Sequence, residues 1–294
     1  MDGFPRIPIG DWAKVGIDWI TDNLAALLDL FTLITETLVG GLGDALLATP
    51  WWLVIVIAGL LCWLLRSWKL ALGVVIMFLL IVGMDMWESS MQTLALVLIS
   101  AVFAVIIAVP LGILSARSRV ASAIMKPILD LLQTMPVFVY LIPAIVFFGL
   151  GAAPGVFATF LFSIAPGVRM TELGIRGVDG ETVEAATAFG APSRGILFGV
   201  QLPLAMPTIM AGVNQVIMLA LSMAVVAGMV GADGLGKDVT AAISQNNVAT
   251  GVEAGLSVVF LAVFLDRLTA AIGTPEQFPS SLLRLYRRAR TKTA

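Results

Sequence analysis

Residues 91–114 contain no Asp, Glu, Lys or Arg. A membrane's hydrocarbon core is crossed by roughly 20 mostly apolar residues, and the run is long enough for that. In lipid a spanning segment must satisfy its own backbone polar groups, so such a run folds as a helix. Six further runs read the same way: 51–65, 70–86, 128–150, 152–168, 208–230 and 255–272. The first two are short and closely spaced. The run 128–150 contains Pro136 and Pro143. Prolines are tolerated in membrane helices where neighbours re-satisfy the freed carbonyls, so one kinked helix is expected there, not two elements. Only 12% of the residues are charged, against about 25% in soluble domains. The expected class is an all-α polytopic membrane protein with seven spans.

Composition also removes whole chemistries. The chain has no histidine and a single cysteine, Cys62. Ser-His-Asp and Cys-His catalysis, His-ligated zinc and an internal disulfide are therefore excluded. No two carboxylates lie mid-span, which argues against an intramembrane enzyme. Residues 1–10 carry one Arg, an early Asp2 and two prolines, and do not read as a cleaved signal.

Residues 1–50 have a different character. Asp11, Asp18, Asp22, Asp29, Glu36 and Asp44 recur among Trp12, Trp19, Leu27, Leu28, Phe31 and Leu38. Apolar residues at helical spacing beside acids predict amphipathic helices lying along the membrane surface, on the extracytoplasmic side. A first span at 24–47 is the rival reading, with its buried acids as the cost.

Lys and Arg set the orientation. With residues 1–50 outside, Arg66, Lys69, Arg117, Arg119, Lys126, Arg169, Arg176 and Arg194 all fall inside, as does the tail with Arg284, Arg287, Arg288, Arg290 and Lys292. The opposite face keeps Arg6, Lys14 and Lys237, and holds Asp85, Glu88, Asp233, Asp238 and Glu253. The expected topology is N-terminus outside and C-terminus inside. Residues 51–90 form two peripheral helices, 91–273 a core with a long inner loop at 169–207, and 274–294 a basic tail attracted to anionic lipid.

The inner loop carries the most specific pattern. It reads Asp179-Gly-Glu-Thr-Val-Glu184-Ala185-Ala186-Thr-Ala-Phe-Gly190, then nine residues, then Val200-Gln-Leu202-Pro203. Asp179 or Thr182 can cap a short helix, and Glu181 and Glu184 suit its positive end. Gly190 suits the helix stop and Pro192 forbids continuation. Ser193 can cap the helix that follows. A small-residue helix with a projecting carboxylate is shaped to lie in another protein's groove.

This spacing resembles the EAA loop of ABC importer permeases, with Val200 where Ile is commonest. The resemblance implies that Glu184, Ala185, Ala186, Gly190, Val200, Leu202 and Pro203 form the element that couples to an ATPase subunit. Residues 131–143, Pro154-Gly155, 198–215, 219–223 and 265–269 are similar to the glycine betaine/proline permeases of bacterial osmoprotection systems. That match runs from about Trp87 to Gly273. It implies the type I (MetI-like) importer fold in the bacterial inner membrane, a second copy of the chain, two ATP-binding subunits and an extracytoplasmic substrate-binding protein. This chain would bind no cofactor, the ATP and magnesium belonging to the partner ATPase, and no nucleic acid.

Other features are less specific. Gly231-Ala-Asp-Gly-Leu-Gly236-Lys237-Asp238 nearly spells a phosphate-binding loop, but Asp238 stands where the motif needs Ser or Thr. A tight outer turn is the expectation. Ala220, Ala224 and Gly228 allow close helix approach. Phe138, Tyr140, Phe147 and Phe148 crowd the fourth span, and aromatic faces attract quaternary ammonium groups. Tyr140 and Phe138, with Asn214, Gln215 and Met223, are the pathway candidates; interhelical hydrogen bonding is the competing role for the amides. Lys126 and Asp130, and Asp266 and Arg267, read as anchors at the inner surface. The expected function is import of a betaine-type compatible solute. The alternatives are a permease for choline, an amino acid or another small solute, and an ATP-independent channel or carrier, which leaves the EAA-like loop unexplained.

Overall fold

A computed structural model describes residues 8–273, and every element among them is helical. The basic tail and Arg6 lie outside the described residues. The elements are α1 (Ile9–Asn23), α2 (Ala25–Ala48), α3 (Trp51–Leu65), α4 (Trp68–Gly83), α5 (Trp87–Arg117), α6 (Arg119–Thr134), α7 (Val137–Phe148), α8 (Ala152–Arg176) and α9 (Gly180–Ala188). Then come α10 (Ser193–Ile196), a π-helical turn (Leu197–Gln201), α11 (Leu202–Ser222), α12 (Ala224–Met229), α13 (Leu235–Ser244) and α14 (Val248–Gly273).

The centre is a sandwich of α5, α8 and α11. Lipid gives no hydrophobic drive for one helix to join another, so association depends on close van der Waals approach through small residues. Those residues are present at each contact. A Cβ on Gly112 of α5 would sit 2.4 Å from the Thr171 Cβ of α8. One on Gly167 would meet the Ala108 Cβ at 2.8 Å, and one on Gly212 of α11 the Met170 Cβ at 2.6 Å. Around this sandwich, α14 packs on α11, and the α3–α4 hairpin packs on α14. Phe78 of α4 and Phe264 of α14 meet edge-on at 5.2 Å between ring centres.

Two expectations are corrected. The run 128–150 is two helices, not one: α6 and α7 meet at 94°. The break falls at Met135 and Pro136, both in extended backbone. Proline forces the residue before it out of the helical region, and Pro136 removes the donor that would continue the ladder. α6 begins at Arg119, where the Ser118 hydroxyl caps it by accepting from the Ala121 amide at 3.2 Å. Pro143, by contrast, sits inside α7 without ending it.

The second correction concerns residues 25–48. α1 has no buried residue and exposes Trp12, Val15 and Trp19, in keeping with an amphipathic helix. α2 is not a second such helix. It lies along α5 and contacts α7 and α8, and Phe31 is inserted among Phe103, Phe148 and Phe157 at 5.8, 5.0 and 6.0 Å. Among the described residues, five helical stretches are long and apolar enough to cross a membrane: α2, α5, α8, the run from Ser193 to Met229, and α14. The bent α6–α7 pair makes a sixth if counted as one broken span, while α3 and α4 are shorter apolar helices. The sequence count of seven had taken in α3 and α4 and left out α2.

Close approach at Gly112 has a measurable cost. Gly112→Ala is expected to destabilise the protein by about 2 kcal/mol, since the added Cβ would also meet the Val168 carbonyl oxygen at 2.8 Å, and neither that oxygen nor the Thr171 Cβ is the loose end of a side chain. At Gly73, where an added Cβ meets nothing within 4 Å, Ala is expected to be neutral. Thermal unfolding of the two detergent-purified variants checks this; equal melting temperatures would mean that α5 and α8 are not in such tight contact.

Candidate functional site

Below the sandwich, α8 ends at Arg176 and the inner loop begins. The Asp179 carboxylate caps α9, accepting from the Glu181 amide at 3.0 Å. α9 ends where Gly190 takes φ of +79°, a conformation that side chains rarely adopt. The Gly190 amide donates to the Thr187 carbonyl at 2.9 Å and the Ala191 amide to the Ala186 carbonyl at 3.1 Å. These bonds satisfy carbonyls that a helix end otherwise leaves unpaired. Pro192 then holds extended backbone before α10. Pro192, not Ser193, precedes that helix; the Ser193 hydroxyl instead accepts from the Arg117 guanidinium of α5.

The motif residues divide by position more than by burial: Val200 and Leu202 are half-buried and Pro203 is exposed. Glu184, Ala185 and Gly190 are exposed, Ala186 is half-buried, and no residue of α9 is buried. Val200 sits in the π-helical turn, and Leu202 and Pro203 open α11. Leu202 packs on a cluster formed by Ile175, Leu197, Ala205 and Ile209. One half of the motif thus presents a surface and the other half roots it in the helices. Sequence reasoning missed Phe189, which is 92% exposed beside Gly190. An aromatic placed directly before the stop glycine of a short, small-residue helix is the available signal.

The five pathway candidates do not form one site. Tyr140 and Met223 are buried in one cluster with Leu141, Ala158 and Val230, and the Tyr140 hydroxyl has no hydrogen-bond partner there. Phe138 and Gln215 are exposed. Asn214 lies nine residues from Met223 along the helix, about 13 Å at 1.5 Å per residue. Its Nδ2 donates to the Asp266 carboxylate of α14 at 2.8 Å, and its Oδ1 accepts from the Thr269 hydroxyl. Asn214 is therefore an interhelical tie, and Asp266 is its partner rather than a surface anchor. Phe147 and Phe148 belong to the aromatic group around Phe157.

The remaining features are structural. Gly231 to Gly234 form a turn with Gly234 at φ of +120°, α13 begins directly after it, and the Leu235 amide donates to the Thr93 hydroxyl at 2.8 Å. A Cβ on Gly228 would lie 2.2 Å from the Gly236 carbonyl carbon, so this stretch of small residues serves helix packing. Lys237 donates to Asp233 at 2.8 Å, and that hydrogen bond holds the ammonium pKa above its ordinary value. Asp130 pairs with Arg169 of α8, not with Lys126.

The profile of the family described as "Binding-protein-dependent transport system inner membrane component" matches residues 108–274. The chain is 46% identical to the glycine betaine/carnitine transport permease protein GbuB of Listeria monocytogenes, over 92% of this chain and 97% of that one. It is 45% identical to the glycine betaine transport system permease protein OpuAB of Bacillus subtilis, over 92% and 96%. Against the glycine betaine/proline betaine permease ProW of Escherichia coli the identity is 41%, over 93% and 78%. Among solved structures, the inward-facing methionine ABC transporter MetNI aligns with a TM-score of 0.57 at 21% identity, over 64% of this chain and 94% of that one. That likeness establishes the type I fold. The family acts with an ATPase and a substrate-binding protein, and its members are translocation subunits rather than enzymes. The chain belongs to the inner membrane components of binding-protein-dependent transport systems, and is an ABC importer permease.

Proposed function

We propose that this permease imports glycine betaine and related quaternary-ammonium solutes, and that α9 docks it onto the ATP-binding subunit. The names of the three relatives support the solute class. The observation that carries the docking is α9 itself, a well-capped helix with no buried residue and Phe189 fully presented beside it. Glu184, Ala185, Ala186 and Gly190 form the docking face, and Val200, Leu202 and Pro203 root it. ATP and magnesium sit on the partner, and this chain holds no cofactor.

Two copies of the chain pair in the membrane with two ATP-binding subunits, and the passage runs between the copies. Tyr140 and Met223 line it when it opens, Phe138 and Gln215 face it from the protomer surface, and Asn214 braces its wall. A loaded binding protein docks outside, closure of the ATPases moves α9, and the passage opens outward before hydrolysis resets it. In this arrangement α2 crosses the membrane beside α5, the basic loops and the C-terminus lie inside, and the acidic turn around Asp233 lies outside.

Three outcomes follow. Glu184→Lys is expected to lower betaine-stimulated ATP hydrolysis and uptake by about tenfold in the reconstituted complex, the scale of a central interface residue. Full coupling in that variant would sink the docking assignment. Phe189→Asp is expected to leave the melting temperature of the isolated chain unchanged while cutting co-purification of the ATP-binding subunit by about tenfold. Undiminished co-purification would remove Phe189 from the interface. The mass of the detergent-solubilised complex should correspond to two copies of each subunit, and a single copy of this chain would contradict the pairing.

A further inference from the structure

At the inner end of α8, one turn before the docking loop, a carboxylate and a guanidinium tie three helices together. The Glu172 side chain is only 13% exposed. Its Oε1 accepts from the Ser122 hydroxyl of α6 at 2.7 Å and lies 3.1 Å from Nη2 of Arg176. The same Nη2 donates to the Ser115 carbonyl of α5 at 2.7 Å. Ser115 lies in the last turn of α5, where helix carbonyls lack an intrahelical donor. The guanidinium therefore caps α5 and places positive charge at the negative end of its dipole. None of these four residues belongs to the docking motif.

The docking loop has few other ways to pass a displacement upward. α9 buries nothing. A cavity of about 530 Å³ lies between Val183 and Thr187 of α9 and Ala116, Arg117, Ile175 and Arg176 at the inner ends of α5 and α8. A second cavity, about 510 Å³, opens on the other side of Arg176, against Lys126, Leu129 and Arg169. Between these spaces the loop is held by its covalent ends, by the Leu197 cluster, and by polar ties to the end of α5. Those ties are Arg176 on the incoming side and the Arg117–Ser193 bond on the outgoing side. Charge-assisted hydrogen bonds are directional and stronger than neutral ones, so they can carry motion beside the apolar packing of Val109, Ile113 and Ala116 on the Leu197 cluster.

We propose that Glu172 and Arg176, with Ser115 and Ser122, form a joint that transmits displacement of α9 to α5 and α6. They are positioning residues that touch neither solute nor nucleotide. The inference rests on α9 being the docking helix, and adds the path by which docking moves the spans.

The test uses the full complex with its ATP-binding subunits and binding protein in vesicles, and reads glycine betaine taken up per ATP hydrolysed. In Glu172→Ala and Arg176→Ala the ATP-binding subunit is expected to co-purify normally and hydrolysis to stay within about twofold, while uptake per ATP falls about tenfold. Arg176→Lys keeps the charge but loses the planar fork, and should recover about a third of the lost ratio. A purely structural role would instead lower the amount of complex, with uptake and hydrolysis falling together at constant ratio; that result overturns the proposal. If the alanine variants do not assemble, Ser122→Ala removes one hydroxyl only. It should at least halve uptake per ATP, about a twofold effect, and an unchanged ratio there overturns the joint. Comparison with Glu184→Lys separates the two ideas. Loss of subunit association in Glu184→Lys with a normal ratio in the joint variants leaves docking standing and the joint refuted. Normal association and coupling in Glu184→Lys refute docking by α9, and the joint as its path falls with it.

Discussion

Helices in lipid gain nothing from burying apolar surface against one another, so they must approach closely enough for dispersion to hold them. The α5–α8–α11 sandwich depends on that constraint at Gly112, Gly167 and Gly212. Where a Cβ would stand, the neighbouring helix already does. This closeness fixes the inner ends of α5 and α8 relative to each other. It puts the last carbonyls of α5 within reach of Arg176 and the start of α6 within reach of Glu172. The loop that follows α8 thus hangs from a defined platform.

That platform lets a helix with no buried residue hold a defined shape. α9 is kept by local devices: the Asp179 cap, the left-handed Gly190 and the extended Pro192. Its surface stays free because nothing among the described residues buries it. The second half of the motif performs the opposite task, with Leu202 packed against Leu197 and Ile209. One motif therefore joins an exposed helix to an anchor within the membrane domain.

The sequence made some of this legible and hid the rest for physical reasons. Docking-loop signals are local, since cap, stop glycine and proline act within a few residues of each other; the loop was readable almost to the residue. The break at Pro136 was not. Pro110, Pro127, Pro143, Pro166 and Pro207 all sit inside helices, so a proline alone does not distinguish a kink from a right angle. α2 was misread because its acids looked too costly for a buried position. Glu36 and Asp44 line a cavity together with Gln92 and Asp233. The Asn214–Asp266 tie and the bonds from Glu172 to Ser122 and from Arg176 to Ser115 link residues far apart in the chain, a pairing that a single sequence does not reveal.

The central claim is that α9 lies against the ATP-binding subunit, and proximity tests it most directly. A photo-activatable crosslinker on a cysteine introduced at Ala185, with the buried Cys62 replaced, would be irradiated in inside-out vesicles carrying the whole complex. The account predicts a dominant adduct with the ATP-binding subunit. Adducts only with lipid or the binding protein, or labelling of the same cysteine by an impermeant thiol reagent from the extracytoplasmic side, would contradict it.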